Sequence, residues 1–155
     1  MSVRLRRLTA DLRSMETAFA NHPAISIVSH EGSPPERYLV EFCVRCPLPP
    51  VAGAEPVIGA SHRAEIFLPM DYPRRSPFCR MVTPVHHPNV DPQKICIGDH
   101  WSAGQSLARL VVHIAEMLCY QSYNVRSPLN AAAAAWADTR PGTFPLQADD
   151  LMQGV

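Results

Sequence analysis

The chain has 155 residues, 46% hydrophobic and 18% charged, which fits one compact domain with one core and excludes a disordered tail or a fibrous protein. Fourteen basic residues balance fourteen acidic ones, so the broad positive field of a protein that grips nucleic acid through its phosphates is missing. No apolar run approaches the ~18–20 residues of a membrane-spanning helix, and neither nucleic acid nor a membrane is expected as a partner.

In chain order, Leu5, Leu8, Leu12, Met15 and Phe19 recur at spacings of three and four, which predicts an amphipathic helix over residues 2–20. Its other face carries Arg4, Arg6, Arg7 and Arg13, either a solvated face or a docking surface for an acidic partner. Asn21-His22-Pro23 ends the helix, since proline disfavours helical geometry in the residue before it. Strands are predicted at residues 24–29, 38–44 and 63–68, where apolar and polar residues alternate. The proline-, alanine- and glycine-rich segment 47–59 reads as a loop or ragged hairpin connection. Residues 71–92 carry many prolines and predict irregular chain with one short strand at 80–82. A helix follows over residues 106–119, with Ser106 as its N-cap, then an alanine-rich helix at 129–137 anchored by Trp136, then a short, loose tail. This order predicts an α+β domain: N-terminal helix, an antiparallel meander of up to four strands, and C-terminal helices.

Sixteen prolines argue against an all-helical bundle. Five cysteines, an odd number with no secretory leader in view, predict free thiols in a reducing cytoplasm rather than a disulfide framework. The thirteen arginines and single lysine fit a GC-rich bacterial genome.

Chemistry concentrates in the run from His86 to Cys96, in irregular chain before a helix. Cys96 is the candidate nucleophile, because a thiolate attacks carbonyl carbon readily; its plain alternative is a small buried hydrophobe between Ile95 and Ile97. Asn89 offers a carboxamide donor for an oxyanion or a hydrogen bond that holds the loop. His87 is a general base or, more simply, a loop-fixing histidine. Lys94 would place a positive charge beside the thiol or stand solvated in the loop. Cys43 and Cys46 have a zinc-ligand spacing, but on a strand residues three apart face opposite sides and no second pair matches; no metal or other cofactor is expected.

Tyr72-Pro73, thirteen residues, His87-Pro88-Asn89, a cysteine seven residues later, Trp101-Ser102, a helix and then Pro128-Leu129 together resemble the ubiquitin-conjugating enzymes over residues 3–137. The resemblance implies the fold of that family and a carrier activity. Cys96 would accept the C-terminus of a ubiquitin-like modifier as a thioester from an activating enzyme and pass it to an amine of a protein target. It further implies that Asn89 is the oxyanion donor or loop organiser, that His87 and Pro88 support it, and that Tyr72 and Pro73 shape the loop beneath. Asp99 or Ser127 would orient the incoming amine, and the first-helix arginines would help dock the activating enzyme.

Compared with the family pattern, the intervals Asn89–Cys96 and Cys96–Trp101 are shorter and that between Cys119 and Pro128 is longer. Arg74 and Ala103 replace apolar anchors, which argues against recruitment of a RING-type ligase. These departures resemble bacterial ubiquitin-conjugating-like proteins, some of which act in antiviral defence. A non-catalytic scaffold of the same fold and a cysteine hydrolase are the alternative readings.

Overall fold

The computed structural model describes residues 1–155. Helix α1, Val3–Phe19, opens at Ser2, whose hydroxyl accepts the Leu5 N–H. Its inward stripe is Leu8, Asp11, Met15 and Phe19, while Leu5, expected to begin that stripe, is exposed. A carboxylate therefore occupies a core-facing position, and such a group persists there only with partners.

Strands β1 (Ile25–Gly32) and β2 (Pro35–Phe42) form the first hairpin; β3 (Cys46–Pro47) pairs with β4 (Ile58–Gly59); β5 is His62–Phe67 and β6 Phe78–Met81. The main antiparallel sheet has the order β1-β2-β5-β6, and β3-β4 stands apart as a two-stranded ribbon. Period-two alternation puts Tyr38, Val40 and Phe42 of β2 with Ala64 and Ile66 of β5 on the buried face. The four-stranded meander is thus as predicted. Two boundaries differ: β1 and β2 reach further toward their shared turn, because β1 is an edge strand whose second half is exposed and so carries no apolar signal; and the last strand lies slightly earlier than 80–82.

Helix α2, Leu107–Leu118, is capped by Ser106, which accepts the Arg109 N–H, and is buried on almost every side. Helix α3, Ala131–Asp138, is capped by Asn130 through the Ala133 N–H. The tail is not loose as expected. Leu146 N–H donates to Cys119 O, Gln121 Nε2 donates to the carbonyls of Gln147 and Asp149, Leu151 is buried, and its carbonyl meets His22 Nε2 at 2.8 Å. A segment held by backbone carbonyls and one leucine has no periodicity to announce it. The result is an α+β domain in which α1, α2 and the inner sheet face enclose one core, with the 86–101 chain at its edge.

Candidate active site

The stretch His86-His87-Pro88-Asn89 is buried; its carbonyls and the Asn89 carboxamide are engaged, while His87 Nε2 has no hydrogen-bond partner. His87 Nδ1 accepts the Asn89 N–H at 3.0 Å, which fixes the neutral ring with its proton on Nε2. Burial lowers the His87 pKa from 6.5 to about 4. One nitrogen is thus occupied by the Asn89 N–H and the other is protonated and enclosed, so the ring braces the loop through its own chain. The Pro88 carbonyl accepts the N–H groups of Leu129 and Asn130 at 2.8 and 3.1 Å, joining this loop to the start of α3.

Asn89 is bound to the backbone of Asn124 as if to a neighbouring strand: Oδ1 accepts the Asn124 N–H at 2.9 Å and Nδ2 donates to Asn124 O at 2.8 Å. The pairing fixes the amide orientation and leaves one Nδ2 hydrogen unused. Below lies Tyr120, just past α2, with φ 61°, a left-handed conformation uncommon for an aromatic residue. Its ring packs 4.7 Å from His87 and 4.6 Å from Phe144, and its hydroxyl donates to His86 O at 2.7 Å.

Residues 94–96 run as extended chain between two neighbours. Ile95 N–H donates to Cys79 O on one side and Cys96 N–H donates to Asn89 O on the other, at 2.8 and 2.9 Å. Ile95 and Ile97 face the core, so Cys96 faces solvent. This decides among the thiols. Cys46, Cys79 and Cys119 are buried, and burial pushes their thiols up, away from thiolate. Cys43 is exposed, on the opposite side of its segment from the fully buried Cys46, so the two do not share a metal-binding face. Cys96 is exposed and opens onto a cleft, of 270 Å³, also lined by Asn89, Asp99, Tyr123, Asn124 and Ser127. Asp99 lies in the 3-10 turn Gly98–His100; Ser127 is exposed and does not cap α3, a role taken by Asn130. His100 stacks on His113 at 3.8 Å, and burial, with the neighbouring His100, lowers the His113 pKa to about 4, so the His113 imidazole is unprotonated at neutral pH.

Tyr72 and Pro73 belong to a second polar node, under the Trp101 loop. The buried Asp11 accepts the Tyr72 hydroxyl, Arg7 Nε at 3.0 Å and, at the mouth of α2, the Leu107 N–H at 3.4 Å. Arg7 also donates to the carbonyls of Ala103 and Gln105 and lies over the rings of Tyr72 and Trp101, while Trp101 Nε1 donates to Pro73 O at 2.9 Å. Arg4 donates to the carbonyls of Leu68, Pro69 and Met70. The expected arginine docking face is therefore divided: Arg4 and Arg7 fasten α1 to the loops beneath the site, and Arg6 and Arg13 are exposed. Asp11 escaped the sequence reading, although its place inside the apolar stripe and four residues after Arg7 was the available signal.

A sequence model described as "Ubiquitin-conjugating enzyme" matches residues 54–152. The ubiquitin-conjugating enzyme E2 N of Macaca fascicularis is 33% identical over 93 residues, 56% of this chain and 60% of that protein. That of Drosophila melanogaster is 34% identical over 86 residues, 52% of this chain and 56% of that protein. The chain thus spans less than two thirds of the length of the curated relatives it matches. Among solved structures, a putative ubiquitin conjugating enzyme from Trypanosoma cruzi aligns with TM-score 0.62 at 21% identity, over 90% of this chain and 93% of that one. A putative one from Plasmodium yoelii gives TM-score 0.62 at 23% identity, over 86% and 82%. The structural likeness establishes the fold. The sequence match runs from before β4 through the Asn89–Cys96 segment to the packed tail, and with it the chain belongs to the ubiquitin-conjugating enzyme family.

Proposed function

We propose that the chain is a conjugating enzyme in which Cys96 carries the C-terminus of a ubiquitin-like modifier as a thioester, received from an activating enzyme and passed to an amine, a lysine of a protein target. The observation that carries this reading is the exposure of Cys96 on a cleft it shares with the Asn89 carboxamide. Each transfer passes through a tetrahedral oxyanion. The Nδ2 hydrogen left over from Asn124 is the donor available to it, while the Asn124 pairing keeps the carboxamide from rotating away. Ser127 and Asp99 border the same cleft and supply polar groups for an incoming amine. The neutral, enclosed His87 is not the base that a cysteine hydrolase needs at its thiol, and His100 and His113, which line the same cleft, are the groups left to that alternative.

Arg6 and Arg13 are the exposed arginines of α1 and the surface proposed for the activating enzyme. Arg74 and Ala103, both exposed and neither an apolar anchor, support a transfer that does without an ordinary RING-type ligase. The narrower reading, a bacterial enzyme of the cytoplasm working in antiviral defence beside its own activating enzyme and modifier, rests on the arginine bias and the shortened loops. The genes that neighbour this one test it.

The direct experiment incubates the chain with activating enzyme, modifier and ATP and resolves products with and without thiol reductant. A reductant-labile adduct, absent in Cys96→Ala and replaced by a reductant-stable ester in Cys96→Ser, is expected. An adduct of undiminished yield in Cys96→Ala refutes the proposal.

A further inference from the structure

Lys94 is the only lysine in the chain, and the structure puts it on the same face as the nucleophile. Ile95 forms an antiparallel bridge with Val90, the N–H groups of Ile95 and Cys96 go to different neighbours as in a strand, and burial alternates: Lys94 exposed, Ile95 buried, Cys96 exposed, Ile97 buried. In such chain, side chains two residues apart project together and their Cα atoms are about 6.7 Å apart. A lysine side chain can span most of that distance.

The two residues also line one groove, of 240 Å³, with Ser76, Pro77, Phe78 and Cys79. It lies on the β6 side of Cys96, whereas the cleft with Asn89 and Ser127 is on the other, so Cys96 lines both. The turn that presents Lys94 is fixed: Asp91 Oδ1 accepts the N–H groups of Gln93 and Lys94 at 2.8 and 2.9 Å, and Asp91 N–H donates to Lys94 O at 3.0 Å. Lys94 Nζ enters none of the molecule's ion pairs. Its backbone is held, and its amine is free to turn toward the sulfur.

We infer that Lys94 is an intramolecular acyl acceptor: an acyl group carried on Cys96 shifts to Lys94 Nζ within the same chain, making Lys94 a self-modification site. The inference rests on the reading of Cys96 as an acyl carrier. In the shift the neutral Nζ attacks the thioester carbonyl carbon. A C–N bond forms, the C–S bond breaks, Cys96 sulfur leaves as thiolate, and the proton lost from nitrogen passes to that thiolate or to water. The product is an amide that no thiol reductant reverses. Holding nucleophile and electrophile on one short segment gives this route a high effective concentration over capture by another molecule.

The test needs no partner protein. The chain is treated with a short peptide ending in two glycines, supplied as its mercaptoethanesulfonate thioester, which exchanges onto accessible thiols. Adducts are then mapped by tandem mass spectrometry with and without reductant. Expected is a reductant-labile adduct on Cys96 that converts to a reductant-resistant one on Lys94, at a rate independent of protein concentration. Cys96→Ala, which retains Lys94 and the exposed Cys43, should give about ten-fold less Lys94 adduct. Lys94→Arg should load Cys96 normally and form no amide at residue 94. A Cys96 thioester that only hydrolyses, or Lys94 labelling that scales with protein concentration or survives undiminished in Cys96→Ala, overturns the inference and leaves the carrier reading standing. Failure of Cys96 itself to take up the peptide overturns both.

Discussion

Replacing Arg7 by methionine keeps an apolar stem over Tyr72 and Trp101 and removes the guanidinium that faces Asp11. The Asp11 side chain is only 4% exposed and that of Arg7 20%, so the variant strands a buried carboxylate with one hydroxyl and one distant N–H. Breaking a buried pair on one side costs about 3–5 kcal/mol. Because Arg7 is partly wetted, and of the carbonyls it releases that of Ala103 is exposed and that of Gln105 only part-buried, the lower end applies, ~3 kcal/mol. For a chain of this length that corresponds to a melting temperature lower by ~6–12 °C. Urea denaturation of Arg7→Met, Asp11→Asn and the double variant closes a cycle. Arg7→Met is expected to be the worst of the three, with the double variant recovering about 1–2 kcal/mol once the stranded charge is gone. Refutation would be a loss below ~1 kcal/mol for Arg7→Met together with additive effects in the double variant, since the pair would then be solvated and α1 held by its apolar stripe alone.

Asn89→Ala removes both bonds to Asn124, at about 1 kcal/mol each, and should cost about 1–2 kcal/mol. It should also increase hydrogen exchange at the Asn124 amide and slow both loading and amine transfer; unchanged protection at Asn124 would contradict the pairing. The pH dependence of stability follows from His87, whose pKa is 6.5 when unfolded and about 4 in the fold. Above 6.5 neither state binds the proton and stability is level. Between 6.5 and about 4 only the unfolded chain binds it, so stability falls as pH falls, by ~1.4 kcal/mol per pH unit. His87→Gln, which retains an acceptor for the Asn89 N–H, should flatten urea midpoints across that window by about this amount, on top of a parallel decline from His113. An equal slope in variant and parent would mean that the His87 ring is hydrated.

What the sequence disclosed was whatever depends on periodicity and capping. The stripe of α1 from Leu8 onward, the alternation in β2 and β5 and the Ser106 cap are local signals and lie where expected, whereas Leu5 is exposed and Asp11 stands inside the stripe. The candidate site was legible as an ordered set of motifs, but its internal roles were not. Nothing local to Asn89 announces that both ends of its carboxamide bind a backbone 35 residues away. The split among the four α1 arginines is equally silent, since Arg7 differs from Arg6 only by the rotation of about 100° between successive helical residues, which brings it over Tyr72. Contacts between distant segments, such as His22 with Leu151, depend on how the elements dock, and docking geometry is absent from any single window of residues.

The left-handed Tyr120 beneath His87 has a bearing on how this site can change over generations. A glycine there would relax the backbone by about 1 kcal/mol, yet it would delete the ring that His87 and Phe144 lean on and the hydroxyl that holds His86 O. Local comfort and a firm pocket floor pull in opposite directions at this one position. Homologues that abandon the tyrosine are therefore expected to have altered residues 86 and 144 along with it, as a correlated set.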